Sequence, residues 1–274
     1  MKTRAAKTRA VKTRSMKTNG VPRLIVALAI AGVVILAIPL SALLIDAPWL
    51  DLPELLFTPA TLTAIRVSLV VSLSAVALSV LIGVPTAFVL ARTEFIGKPL
   101  VRTVVTVPLV LPPVVTGVAL QSGFGRRGLL GSLTGWGLSN STFGAILAAT
   151  LVAMPFLILS VEGALRNADP GYEQVAASLG AKPLARWWQI SLPLARSSIL
   201  AGAILAWARA LGEFGATITF VGNIPGITRT LPLEVSIALN SEPEPNRALA
   251  LSVLMLGVSL VVLVALRDRW VPRT

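Results

Sequence analysis

Residues 24–45 run for 22 positions without one charged side chain. A helix of about 20 such residues crosses the hydrocarbon core of a bilayer. Five further apolar segments follow, at about 66–90, 100–121, 143–163, 194–221 and 248–266. No water reaches the backbone inside lipid, so each peptide group must find its hydrogen bond within its own segment, and a helix is the form that allows this. The expectation is an all-α integral membrane protein with six transmembrane helices, multi-pass in the cell membrane. Composition agrees: 13% of residues are charged and the mean hydropathy is +0.82, whereas soluble domains carry about a quarter charged residues.

Eight of the 24 basic residues lie in the first 23 positions, where Lys-Thr-Arg recurs at 2, 7 and 12 and Lys-Thr at 17. Residues 1–23 are read as a disordered basic cytoplasmic tail drawn to anionic membrane lipids. Nucleic acid is not an expected partner, because the tail has no aromatic residue to stack on bases. The apolar run at 24–45 exceeds the roughly 7–15 residues of a signal-peptide core. It is expected to be an uncleaved first transmembrane helix, with cleavage after Leu40-Ser41-Ala42 as the alternative.

Orientation follows from Lys and Arg near the span ends. With the N-terminus inside, Arg92, Lys98, Arg102, Arg166, Lys182, Arg186, Arg196, Arg267, Arg269 and Arg273 all fall on the cytoplasmic side. The outer side holds only Arg66, Arg126, Arg127, Arg229 and Arg247. The expected topology is therefore N-in/C-in, and it does not depend on the tail.

Enzyme chemistry is hard to build from this chain. It has no His and no Cys, which removes the usual zinc and copper ligands, Cys/His nucleophiles and disulfides. Gly97-Lys98 is followed by Pro99 and lacks the upstream glycine of a phosphate-binding loop. Gly123, Gly125 and Gly128 satisfy G-x-G-x-x-G, but without the strand, helix and distant acid that give that pattern meaning. We expect no catalytic residue, no metal site and no cofactor on this chain.

Prolines punctuate the spans at Pro85, Pro108, Pro112, Pro113 and Pro155. They are read either as simple kinks or, around residues 108–117, as the shaping of a cavity or hinge, with Pro112, Pro113, Thr116 and Gly117 as candidate path residues. Two charges, Arg209 and Glu213, share a helical face in the fifth segment. They form either an ion pair that orients the span or, with Gly212 and Gly215, a cavity-lining break near a gate.

The polar insert at 169–193 lies between the fourth and fifth segments, on the expected cytoplasmic side. Asp169-Pro170 suits a helix start, Gly180 a helix end, and Pro183 enforces the stop. A second helical run at 184–190 carries Trp187 and Trp188, which suit a membrane surface, and Pro193 opens the fifth span. A short helix with small residues lets another protein approach closely, so the insert is a docking knob or an interfacial helix.

This insert resembles the cytoplasmic EAA loop of type I ABC importer permeases: E-A-A, three residues, G, nine residues, I-x-L-P. Ala176, Gly180, Ile190, Leu192 and Pro193 match in spacing. Gln174 stands where the consensus glutamate falls and Val175 at the first alanine, with Glu173 one position earlier and Ala177 one position later than the motif. Residues 108–117, Pro-Leu-Val-Leu-Pro-Pro-Val-Val-Thr-Gly, resemble the molybdate/tungstate permeases, as do 212–226 and the Thr-Arg-Thr-Leu-Pro at 228–232. Sulfate/thiosulfate permeases share the Gly-Glu-Phe-Gly at 212–215.

The resemblance spans roughly residues 62–265, leaving 266–274 as a cytoplasmic C-terminal tail, and implies a type I ABC importer permease fold. It further implies a homodimer, two cytoplasmic ATPase subunits that hold ATP and Mg, and an external oxyanion-binding protein. Glu173, Gln174, Ala176, Ala177, Gly180, Ile190, Leu192 and Pro193 would couple to the ATPase. A non-conducting membrane scaffold and an ion-coupled carrier remain the alternatives from other classes.

Overall fold

The structure, a computed structural model, describes residues 22–240 and 244–270. Among these residues all regular structure is helical: α1 (Arg23–Ile45), α2 (Leu52–Leu56), α3 (Pro59–Arg92), α4 (Lys98–Val110), α5 (Pro113–Phe124), α6 (Leu129–Thr134), α7 (Thr142–Asn167), α8 (Gly171–Ser178), α9 (Pro183–Arg186), a π-turn (Trp187–Ser191), α10 (Leu192–Leu211), α11 (Gly215–Val221), α12 (Leu231–Asn240) and α13 (Pro245–Trp270). The tail expected at 1–23 lies outside the described residues up to position 21, as do residues 271–274. Two units are distinguished, one carrying α1 and the other everything from Ala47 onward. The first is a single apolar helix with no buried residue.

Among the described residues five helices are long and apolar enough to cross a membrane: Arg23–Ile45, Pro59–Arg92, Thr142–Asn167, Pro183–Leu211 and Pro245–Val264. Of the six spans expected, each as a helix, the one at 100–121 is not among these five. The segment at 100–121 is two helices, because Pro112 and Pro113 both lack the N–H that would continue α4. Leu111 before them is extended (φ −64°, ψ 133°), the conformation a following proline favours. Pro85, Pro108 and Pro155, by contrast, stay inside α3, α4 and α7.

The fifth segment also departs from expectation at both ends. Pro193 does not open the span, since the helix runs on from Pro183 through the π-turn. Pro193 cannot donate to the carbonyl of Gln189, and its ring would press on it. The wider turn, closed by the Leu192 N–H on the Trp187 carbonyl, accommodates both defects. At the far end α10 stops at Leu211, and α11 is a separate helix.

The core of the second unit is α7 packed between α3 and α10. Its contact positions are small, with Ala145, Ala148, Ala149 and Ala153 fully buried. Apolar burial gains little where the solvent is itself hydrocarbon, so close backbone approach and dispersion hold such helices together. α11 packs on α5 and α7, and α12 ties α13 to α3.

Candidate translocation and coupling site

The two places where a span breaks are brought together. α11 lies against α5, and the contact depends on two glycines. A Cβ on Gly117 would sit 2.5 Å from Cβ of Thr219 and 3.0 Å from the Ala216 carbonyl oxygen; one on Gly215 would sit 2.5 Å from Cβ of Pro113. Thr116 is buried and its hydroxyl donates to the Pro112 carbonyl at 3.3 Å, which closes the first turn of α5. Pro112, Pro113 and Gly212 stay exposed beside this contact.

Glu213 joins the two halves of the broken fifth span. It is almost fully buried; one oxygen accepts the Ala216 N–H at 2.8 Å, capping α11, and the other meets Arg209 Nη1 at 2.7 Å. The Arg209–Glu213 pair and the break at 212–214 therefore coexist, where sequence posed them as alternatives. A carboxylate at the start of α11 also sits well against the helix dipole. Paired in this way, the two charges offset each other locally.

In the insert at 169–193 the helix end at Gly180 is as expected, while at its start Pro170, and not Asp169, takes the cap position. Asp169 Oδ1 accepts the Gly171 N–H at 2.8 Å, and α8 begins at Gly171, one residue beyond Pro170. Gly180 ends it at φ +83°, with Gly180 N–H on the Ala177 carbonyl (3.0 Å) and Ala181 N–H on the Ala176 carbonyl (2.9 Å). That pair of bonds is the Schellman arrangement, which requires a left-handed residue.

Glu173 is turned inward. Its Oε1 accepts Arg92 Nε at 3.1 Å and the Ser191 hydroxyl at 2.9 Å, while Arg92 Nη2 donates to the Ala168 carbonyl at 3.3 Å. Gln174 and Ala177 are exposed, Ala176, Ile190 and Leu192 half-buried, and Pro193 exposed. Trp187 packs edge-on to Phe88 of α3, and Trp188 is exposed. The outward side of α8 is apolar: Tyr172, Val175 and Leu179, at helical spacing, are 62%, 60% and 83% exposed.

Several charged contacts went unrecognised in sequence. Glu162 is buried near the end of α7 and takes both Arg102 of α4 and Arg166 (3.3 Å). It lies within the apolar run 143–163, so its position alone was the available signal. Glu234 is buried on α12, where it meets Arg229 at 3.5 Å and also Arg247; Arg229 Nε reaches Asn223 at 2.9 Å. Lys98 is largely buried and donates to Glu94 at 2.7 Å, and this hydrogen bond, reinforced by the lysine charge, holds the exposed Glu94 carboxyl below its ordinary pKa. Among the described residues no group of His, Cys, Asp or Glu is arranged to hold a metal ion.

Two broken spans meet in this helical chain, and a capped segment at the opposite end of α10 presents apolar side chains. The sequence model described as "Binding-protein-dependent transport system inner membrane component" matches residues 79–273, and the chain belongs to that family. It is a multi-pass inner-membrane permease subunit of an ABC transporter and not the ATPase. Membership implies partnership with an ATPase, which hydrolyses the ATP, and with a binding protein.

The molybdenum transport system permease protein ModB of Mycobacterium tuberculosis is 45% identical over 218 residues, covering 78% of this chain and 82% of that one. The protein of the same name in Escherichia coli K12 is 40% identical over 214 residues, covering 77% and 93%. The sulfate transport system permease protein CysW of Synechococcus elongatus is 37% identical over 204 residues, covering 73% and 71%. Among solved structures, a bacterial ABC transporter that imports alginate superimposes with a TM-score of 0.70 at 18% identity, covering 90% of this chain and 94% of that chain. The inward-facing MetNI methionine transporter gives 0.61 at 17%, covering 75% and 92%. These likenesses carry the fold, that of type I ABC importer permeases.

Proposed function

We propose that this chain forms the translocation path of an ATP-driven importer of molybdate, with tungstate as an equivalent cargo, and works as a homodimer. The observation that carries the cargo is the 45% identity, over 218 residues, to a molybdenum permease. Sulfate is the second reading, supported by the 37% identity to a sulfate permease. Molybdate and tungstate are tetrahedral dianions of nearly equal size and make similar demands on a path, so selection between them falls to the external oxyanion-binding protein.

In this reading α4 and α5 together make the sixth crossing, N-in/C-in, and the contact of residues 112–117 with 212–215 forms part of the gate. The Arg209–Glu213 pair is locally neutral. A pair without net charge holds a dianion less tightly than a free cation would, and conduction needs binding weak enough to release. Residues 169–193 dock on two cytoplasmic ATPase subunits, which hold ATP and Mg. Their closure turns the permease outward to receive the anion, and hydrolysis resets it.

Reconstitution in proteoliposomes with the ATPase and binding protein, using radiolabelled molybdate, tests this. ATP-dependent uptake that excess sulfate does not suppress is expected. Uptake that persists without ATP would sink the importer reading, and suppression by equimolar sulfate would reassign the cargo.

A further inference from the structure

α8 hangs between two non-helical joints. On one side Ala168 is extended (φ −76°, ψ 137°); on the other Gly180 is left-handed and Lys182 extended (φ −63°, ψ 150°). An eight-residue helix held only by such joints is free to swing. Non-covalent contacts must set its angle, and the Glu173 carboxylate makes the charged one. Through it α8 is bonded to Arg92 in the last turn of α3 and to Ser191 in the π-turn that leads into α10. Arg92 carries the tie on to Ala168, at the end of α7.

The contact is sheltered: the side chains of Arg92 and Glu173 are 12% and 16% exposed, and Ser191 is buried. Charge-assisted bonds are the stronger class, and one shielded from water resists motion more than an exposed surface pair does. The exposed residues of α8 include no acid: beside Gln174, Ala177 and Ser178 they are the large apolar side chains of Tyr172 and Val175, with Leu179 just past its end.

We propose that Glu173 is a positioning residue, an intramolecular strut that fixes α8 to the ends of α3 and α10, while the apolar ridge of Tyr172, Val175 and Leu179 makes the contact with the ATPase. The inference rests on the docking role given above to residues 169–193. It assigns the acid to force transmission within the permease, and it requires of the partner an apolar cleft and not a basic site. Displacing α8 then moves α3 and α10 directly, and through them the α7 they enclose.

The test uses the full complex, permease with ATPase and binding protein, reading ATPase co-purification and radiolabelled molybdate taken up per ATP hydrolysed. Glu173→Gln keeps the shape of the side chain and removes its charge. It should retain the ATPase and lower uptake per ATP at least fivefold, as should Arg92→Gln, and the charge-swapped Arg92→Glu with Glu173→Arg should recover at least half of that loss. Leu179→Ser should instead lower ATPase co-purification about tenfold. The chain has no cysteine, so spin labels on Thr86→Cys of α3 and Ala177→Cys of α8 report the helix angle directly. Their distance distribution should broaden when Glu173→Gln is added.

Wild-type coupling in Glu173→Gln, a swap no better than either single variant, or an unchanged distance distribution would each overturn the strut. Loss of ATPase from Glu173→Gln with retention in Leu179→Ser would place the acid at the interface and overturn it as well. A wild-type permease that retains no ATPase would overturn the docking reading itself.

Discussion

Gly180 shows how much one backbone angle decides. At φ +83° it ends α8, and no atom lies within 4 Å of where its Cβ would be. Steric space is therefore not the obstacle to substitution; the left-handed conformation is, at about 1–2 kcal/mol for a residue with a Cβ. Gly180→Asn should retain most ATPase co-purification, because asparagine tolerates this region, whereas Gly180→Val should lose it while still inserting in the membrane. Equal retention by both variants would remove the cap from the mechanism. Glu173 and Gln174 teach a different lesson about legibility. Adjacent on a helix, they point about 100° apart. Which one turns inward is decided by Arg92, 81 residues away, and no local pattern carries that information.

At the scale of elements, the breaks themselves were legible and their meeting was not. Paired prolines at 112–113 and glycines around Glu213 are local signals, and both lie where a helix stops. The contact between α5 and α11 joins segments about a hundred residues apart, so it follows only from packing. It yields a paired prediction. Gly117→Ala drives a methyl into Thr219 and should lower thermal stability by about 1–3 kcal/mol, the usual cost of overpacking, with uptake falling at least tenfold. Thr219→Gly removes the opposing Cβ and should restore part of both. Independent, additive losses in the double variant, measured by thermal melting in detergent and by uptake, would show that the two residues do not meet in the working protein. α12 was missed for another reason: ten residues are too few to read as a span, and the loop-like prolines around it conceal a helix whose buried Glu234 is satisfied by Arg229 and Arg247.

For the whole molecule, hydropathy made the fold class legible, since long uncharged runs leave few folds open. It could not resolve how many crossings are continuous, because a broken span has the same composition as a whole one. The described chain exposes large apolar side chains such as Leu81, Val110 and Val114, a surface suited to lipid or to a second copy and not to water. The proposed N-in/C-in topology predicts opposite labelling of two exposed sites in this cysteine-free chain. Gln174→Cys should react with an impermeant maleimide only in inverted vesicles, and Arg127→Cys only in intact cells. Labelling of both from one side would mean that the path between them crosses the membrane an even number of times, and would break the six-crossing arrangement.

The π-turn at Trp187–Ser191 sets a rotational phase. Converting it to an ordinary α-turn would displace one residue and twist everything before it by about 100° around the helix axis. Pro193 disfavours that conversion, because in an α-turn its ring would press on the Gln189 carbonyl. The run from Pro183 to Leu211 is one continuous helix, so under the proposed docking a rotation imposed at its first turn is carried along the same axis to the break at Gly212.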